Sequence, residues 1–148
     1  MAELPIEYAV SLDRAGSGEA HLESGRRPVL GVGPPPEFGG TDLGWSPEHL
    51  LVAAVASCMM ATYYAAAERA RMPISAYACR AVGVLGATDR HVAFTAIRLS
   101  IEVRVLGGDV ARARALVDKA RERCFVASSL RCPVDVIAEV VALSLIHI

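Results

Sequence analysis

The sequence predicts an α+β domain in the order βββ-α-ββ-α-β, a largely antiparallel sheet with a long central helix and a second amphipathic helix, and three observations lead there. Residues 92–105 alternate, with Ala93, Thr95, Ile97, Leu99, Ile101, Val103 and Val105 on one side and Arg98, Glu102 and Arg104 on the other, the pattern of an antiparallel strand with one wet face. Leu50 to Ala67 form 18 consecutive residues without a charge, preceded by a helix start. After Asp109, the apolar positions Ala113, Leu116, Val117, Ala120, Cys124 and Ala127 recur at helical spacing. Strands on both sides of two helices imply helices packed against a sheet.

The elements follow in order. Residues 4–12 alternate, with Ile6, Tyr8, Val10 and Leu12 on one side, and predict a half-buried strand. Asp13 to Gly18 reads as a turn, Glu19 to Glu23 as a second strand, Ser24-Gly25 as a turn and Pro28 to Val32 as a third strand. Gly33 to Gly44 crowds three prolines and four glycines into twelve residues and predicts a long exposed connection without regular structure. Such loops often cover a site or meet a partner. The central helix starts with Ser46 as N-cap, Pro47 at the first helical position and Glu48 in the first turn, and ends before Pro73. Val82 to Leu85 and Val92 to Val105 are strand-like, Gly107-Gly108 breaks the chain, Asp109 caps the second helix, and Pro133 opens the last strand.

Composition bounds the function. A length of 148 residues fits one domain spanning 1–148. With 15 Lys+Arg against 16 Asp+Glu, there is no electrostatic case for nucleic acid. A hydrophobic fraction of 53% and a charged fraction of 21% describe a folded chain, not a disordered one. The uncharged run would be about 27 Å long as a helix, close to a bilayer core. Seven of its 18 residues are alanine, however, and Ser57, Cys58, Thr62, Tyr63 and Tyr64 interrupt it, so a core helix is expected in preference to a membrane span. MAELPIEYAV lacks the basic start and apolar core of a signal peptide, and a cytoplasmic location is expected.

Cys58, Cys79, Cys124 and Cys132 include no C-x-x-C pair, and His21, His49, His91 and His147 are dispersed, so neither a disulfide framework nor a metal site is expected. No cofactor is expected either. Gly31-Val32-Gly33 runs into prolines, which lack the N–H groups that a phosphate needs, and Gly16-Ser17-Gly18 has the wrong spacing for a nucleophile elbow. The arginines of residues 111–123 alternate with Asp118 and Glu122 and read as a solvated helix face. Each cysteine taken singly reads as a small core residue. Two inward-facing cysteines on the only two helices point further: if those helices pack together, Cys58 and Cys124 can approach disulfide distance, with Cys58 as a reactive thiolate and Cys124 as the partner that closes the bond.

The segment Gly44-Trp45-Ser46-Pro47-Glu48-His49-Leu50-Leu51, running through Ala53-Ala54 to Ala56-Ser57-Cys58, resembles the osmotically inducible protein C and organic hydroperoxide resistance family, where a Pro-Glu-x-Leu helix start lies ten residues before a peroxidatic cysteine. Cys124 to Leu130, with Ser128 four residues after the cysteine, is similar to the family's second motif, and the element order agrees over nearly the whole chain. The resemblance implies a thiol peroxidase. Cys58 would attack a hydroperoxide, Cys124 would resolve the sulfenic acid, and a dithiol of lipoyl or thioredoxin type would reduce the disulfide. It also implies a homodimer and an arginine held by Glu48 that keeps the thiolate ionised; the bland alternative for Glu48 is a carboxylate serving the helix dipole alone.

Two positions depart from the family. The family's Gly-Arg-Asp-Gly turn is here Asp13-Arg14-Ala15-Gly16-Ser17-Gly18, which makes Arg14 the candidate, with Arg26 and Arg27 as fallbacks. Phe125 stands where a proline is common, and Cys132-Pro133 carries the Cys-Pro text instead. Cys79 is read as strand packing. Ten residues of straight helix separate Glu48 from Cys58 by about 15 Å, so either Glu48 and Arg14 come from a second subunit, with sites at the interface, or the helix is broken between them. Beside the peroxidase stand a non-catalytic redox sensor or apolar-ligand binding protein on the same scaffold, and a structural dimer with inert thiols.

Overall fold

The computed structural model describes residues 2–143. The chain forms two compact units, Met1–Leu50 and Leu51–Ile148.

In the first unit, strands β1 (Ser11–Arg14), β2 (Ala20–Glu23) and β3 (Leu30–Val32) make an antiparallel meander, with Leu12 opposite Leu22 and Leu22 opposite Leu30. The expected first strand is thus shorter than 4–12. Pairing starts at Ser11, because β2 offers only four residues before the chain turns back at Ser24, where the Arg27 N–H donates to the Ser24 carbonyl. The apolar side of the alternating stretch lies open instead of half buried: Tyr8 is 89% and Leu12 64% exposed. Nor is the Pro/Gly-rich connection entirely irregular. It holds one 3₁₀ turn, Pro36–Phe38, and comes back so that Trp45 brackets β3: its N–H donates to Gly31 and its carbonyl accepts from Gly33.

Helix α1 (Pro47–Arg69) begins as its sequence foretells, with the Ser46 hydroxyl accepting the His49 backbone N–H at 3.1 Å. It runs unbroken to Arg69, which excludes a break between Glu48 and Cys58. It ends in a left-handed Arg71, with the N–H groups of Met72 and Arg71 returned to the carbonyls of Ala67 and Glu68.

The second unit carries the core. Strands β4 (Ile74–Ala87) and β5 (Val92–Leu106) pair antiparallel, and β6 (Val134–Leu143) joins β5 in parallel. The described residues therefore form two three-stranded sheets, one antiparallel and one mixed. Strand β4 reaches well beyond the expected Val82 to Leu85. Its first half, rich in alanine and shifted in register between Ile74 and Ala76, lacks the clean alternation that marks β5. Ile97, Leu99, Ile101, Val103 and Val105 of β5 point into a core with Val55, Met59 and Tyr63 of α1 and Ala113, Leu116, Val117 and Ala120 of helix α2 (Val110–Arg123). Gly83 admits the helix to β4: a Cβ there would lie 2.5 Å from a Val52 methyl. The Tyr63 hydroxyl donates to the Ala113 carbonyl at 3.1 Å, tying α1 to α2.

One expected helix is two. Asp109 caps α2 through the Arg112 N–H, but the helix stops at Arg123, Cys124 takes an extended conformation (φ −68°, ψ 111°), and a short helix α3 (Phe125–Ser128) follows. The uncharged run is also not enclosed on all sides. Val55, Met59, Tyr63, Ala66 and Ala67 are buried, while Met60 and Tyr64, beside that stripe, are 41% and 40% exposed.

Candidate functional site

The site is built where α1 passes the junction of α2 and α3. Cys58 lies half-buried midway along α1. One turn further, the Thr62 Oγ1 is 4.0 Å from the Cys58 sulfur and donates to the Cys58 carbonyl at 2.8 Å. Cys124 is fully buried at the helix break. Had α2 continued through it, the N–H groups of residues 125–127 would be spent on α2 carbonyls. The extended Cys124 resets the count, and the first N–H groups of α3 are left without helical acceptors.

Those free donors meet the two sulfurs. Burial pushes the Cys58 thiol up, but the backbone N–H of Val126, the Cys124 thiol, the Thr62 hydroxyl and the backbone N–H of Phe125 together outweigh it, and Cys58 titrates below an ordinary thiol. Burial also pushes Cys124 up. The N–H groups of Ala127 and Val126 offset that only in part, and the neighbouring Cys58 adds to the rise. These two cysteines thus differ in kind: Cys58 is the more readily ionised and Cys124 the less.

The remaining thiols lie outside this pair. Cys79 is on β4, packed against the core, and burial raises its titration, as expected of strand packing. Cys132, just before β6, also packs against the core. Tyr77 on β4 stacks near Tyr63 and Tyr64, and its buried hydroxyl has no hydrogen-bond partner among the described residues. Burial first, then Cys79, Tyr63, Tyr64 and Cys124, hold that phenol protonated far above its ordinary range.

Glu48 and Arg14 belong to the first unit. Glu48 lines a largely apolar cavity of about 420 Å³ with Leu12, Leu22, Val32, Phe38 and Leu50, and its buried Oε2 finds no hydrogen-bond partner among the described residues. Arg14 is exposed at the end of β1, where its Nε donates to the Gly18 carbonyl in the following turn at 2.9 Å; it makes no ion pair with Glu48 among the described residues. Arg26 and Arg27 are likewise exposed. Of the four candidates, the fold therefore brings Cys58 and Cys124 together, and it does not pair Arg14 with Glu48 within one chain. Sequence reading missed the Phe125 and Val126 N–H groups, which no side-chain motif reveals. The fourfold spacing of Cys58 and Thr62 on a helix was the available signal for the hydroxyl.

These features define an α+β protein with a paired-thiol site on its central helix. The sequence model of the family described as OsmC-like protein matches residues 40–139, and the chain belongs to that family. Its structure is similar to an OsmC-like protein of unknown function from Vibrio cholerae, at 21% identity and a TM-score of 0.80, covering 93% of this chain and 100% of that one. An OsmC-like protein from Mycoplasma pneumoniae has 16% identity and a TM-score of 0.79, with 93% and 99% covered. An organic hydroperoxide resistance protein from Legionella pneumophila has 25% identity and a TM-score of 0.68, again with 93% and 99% covered. A search of curated proteins returned no match.

Proposed function

We propose that the protein is a thiol peroxidase that reduces organic hydroperoxides. The carrying observation is the asymmetric pair: a Cys58 that ionises readily beside a Cys124 that stays protonated. The Cys58 thiolate attacks the distal oxygen of the hydroperoxide, the O–O bond breaks, and the alcohol leaves after taking up a proton. Cys58 becomes a sulfenic acid. The Cys124 sulfur then displaces its hydroxyl as water, forming the intrachain disulfide, and a dithiol of lipoyl or thioredoxin type returns both thiols at its own oxidation. The apolar surroundings favour alkyl hydroperoxides over hydrogen peroxide.

The active form in this reading is a cytoplasmic homodimer. Glu48 and Cys58 stand about 15 Å apart on one unbroken helix, so Glu48, and Arg14 with it, serve the thiol of the second subunit. The unpartnered Glu48 oxygen supports this, because a buried carboxylate calls for a cation. The tie of Arg14 to its own turn favours a second reading, a redox sensor that is oxidised without turning over.

One experiment separates them. Reduced protein is incubated with cumene hydroperoxide and a dithiol, and peroxide consumption is followed for the native chain, Cys58→Ser and Cys124→Ser. Turnover that Cys58→Ser abolishes supports the enzyme. A single stoichiometric oxidation supports the sensor, and thiols that survive the peroxide refute both.

A further inference from the structure

The Thr62 hydroxyl stands within reach of two acceptors. Its oxygen is 2.8 Å from the Cys58 carbonyl and 4.0 Å from the Cys58 sulfur. Threonines in helices commonly bond back to the carbonyl four residues earlier, so that bond alone assigns nothing. A hydroxyl has one proton and two lone pairs. While Cys58 is a thiol, Thr62 gives its proton to the carbonyl and can accept the S–H. Once the thiol proton has passed to solvent, the sulfur becomes a charged acceptor and competes for the Thr62 proton. The carbonyl can release it, because the Thr62 backbone N–H still occupies that carbonyl in the helix ladder, and a charge-assisted bond is the stronger of the two.

We propose that Thr62 is a positioning residue for Cys58, its hydroxyl turning from the Cys58 carbonyl to the Cys58 sulfur on ionisation and holding the ionised sulfur in place. The inference rests on the reading of Cys58 as the reactive thiol. The titration of Cys58 agrees in direction: against burial act the Val126 N–H, the Cys124 thiol and then the Thr62 hydroxyl. Thr62 is half-buried, so the bond is only partly open to competition from water.

The test uses the reduced full-length chain. Iodoacetamide labelling of Cys58 is followed by peptide mass spectrometry, which separates it from the other cysteines, across the pH range of thiol titration. Thr62→Val keeps the shape and removes the hydroxyl; Thr62→Ser keeps the hydroxyl; Thr62→Ala repeats the deletion without β-branching. The expected result is a loss of about fivefold in Cys58 labelling below the titration midpoint for Val and Ala, an unchanged alkaline limit, and a Ser variant within about twofold of native. A Val or Ala profile that overlays the native one overturns the proposal, as does an equal loss in Ser. If native Cys58 is labelled no faster than Cys79, the reactive-thiol reading falls and this proposal with it. A fast native Cys58 that is indifferent to Thr62 removes only the latter.

Discussion

Replacing Phe125 by proline isolates one backbone donor. Phe125 opens α3, so its N–H has no helical acceptor, and that N–H is one of the groups that lower the Cys58 titration. Proline deletes the N–H and is otherwise suited to the first turn of a helix. The preceding residue, which proline forces out of the α region, is already extended, with Cys124 at φ −68° and ψ 111°. The lost side chain is 83% exposed and contributes little packing. Hydrogen bonds to charged groups contribute about 1.5 kcal/mol at the low end. Phe125 is the weakest of the four donors, and Cys58 is only half-buried, so solvent screening leaves about half of that. About 0.7 kcal/mol corresponds to a factor of about three. The expected outcome of Phe125→Pro is a roughly threefold fall in Cys58 alkylation below its titration midpoint, with the thermal midpoint lowered by no more than a few degrees. An unchanged profile, or faster alkylation, would refute the assignment of this N–H to the thiolate.

Two further outcomes follow from the same groups. Cys79 and Cys124 both titrate above an ordinary thiol, chiefly through burial. Their folded pKa values exceed the unfolded ones, so the stability they contribute is complete below the unfolded thiol value and is lost as pH rises past it; the thermal midpoint of the reduced protein is expected to fall from about pH 8.5 upward. Cys79→Ala should make that fall shallower, and scanning calorimetry across this range would show otherwise if the slope were unchanged. Tyr77→Phe removes a buried hydroxyl that no described residue satisfies, and it is expected to be neutral or stabilising by up to about 1 kcal/mol in urea unfolding. A loss of 2 kcal/mol or more would reveal a partner for that hydroxyl.

What the sequence disclosed depended on whether a neighbour was needed to define it. The Ser46-Pro47-Glu48 start and the alternation of β5 are local and appear as read, because capping and a one-sided strand are each written into consecutive residues. The parallel seat of β6 and the early reach of β4 are set by register with β5, which no local pattern states. At the site, Cys58 and Cys124 were legible as side chains on two helices, whereas the break at Cys124 was not: its apolar spacing fits a continuing helix, and only the extended backbone turns the N–H groups of α3 toward the sulfurs. The uncharged run needs a neighbour too. Its length signals that something apolar must cover it, yet among the described residues only Val55, Met59, Tyr63, Ala66 and Ala67 of it are buried. Met60 and Tyr64 remain open, and so, in the first unit, do Tyr8, Val10 and Leu12. Each of these faces is patterned for burial and is exposed among the described residues. In the proposed homodimer, a second copy is what would cover apolar faces of this kind.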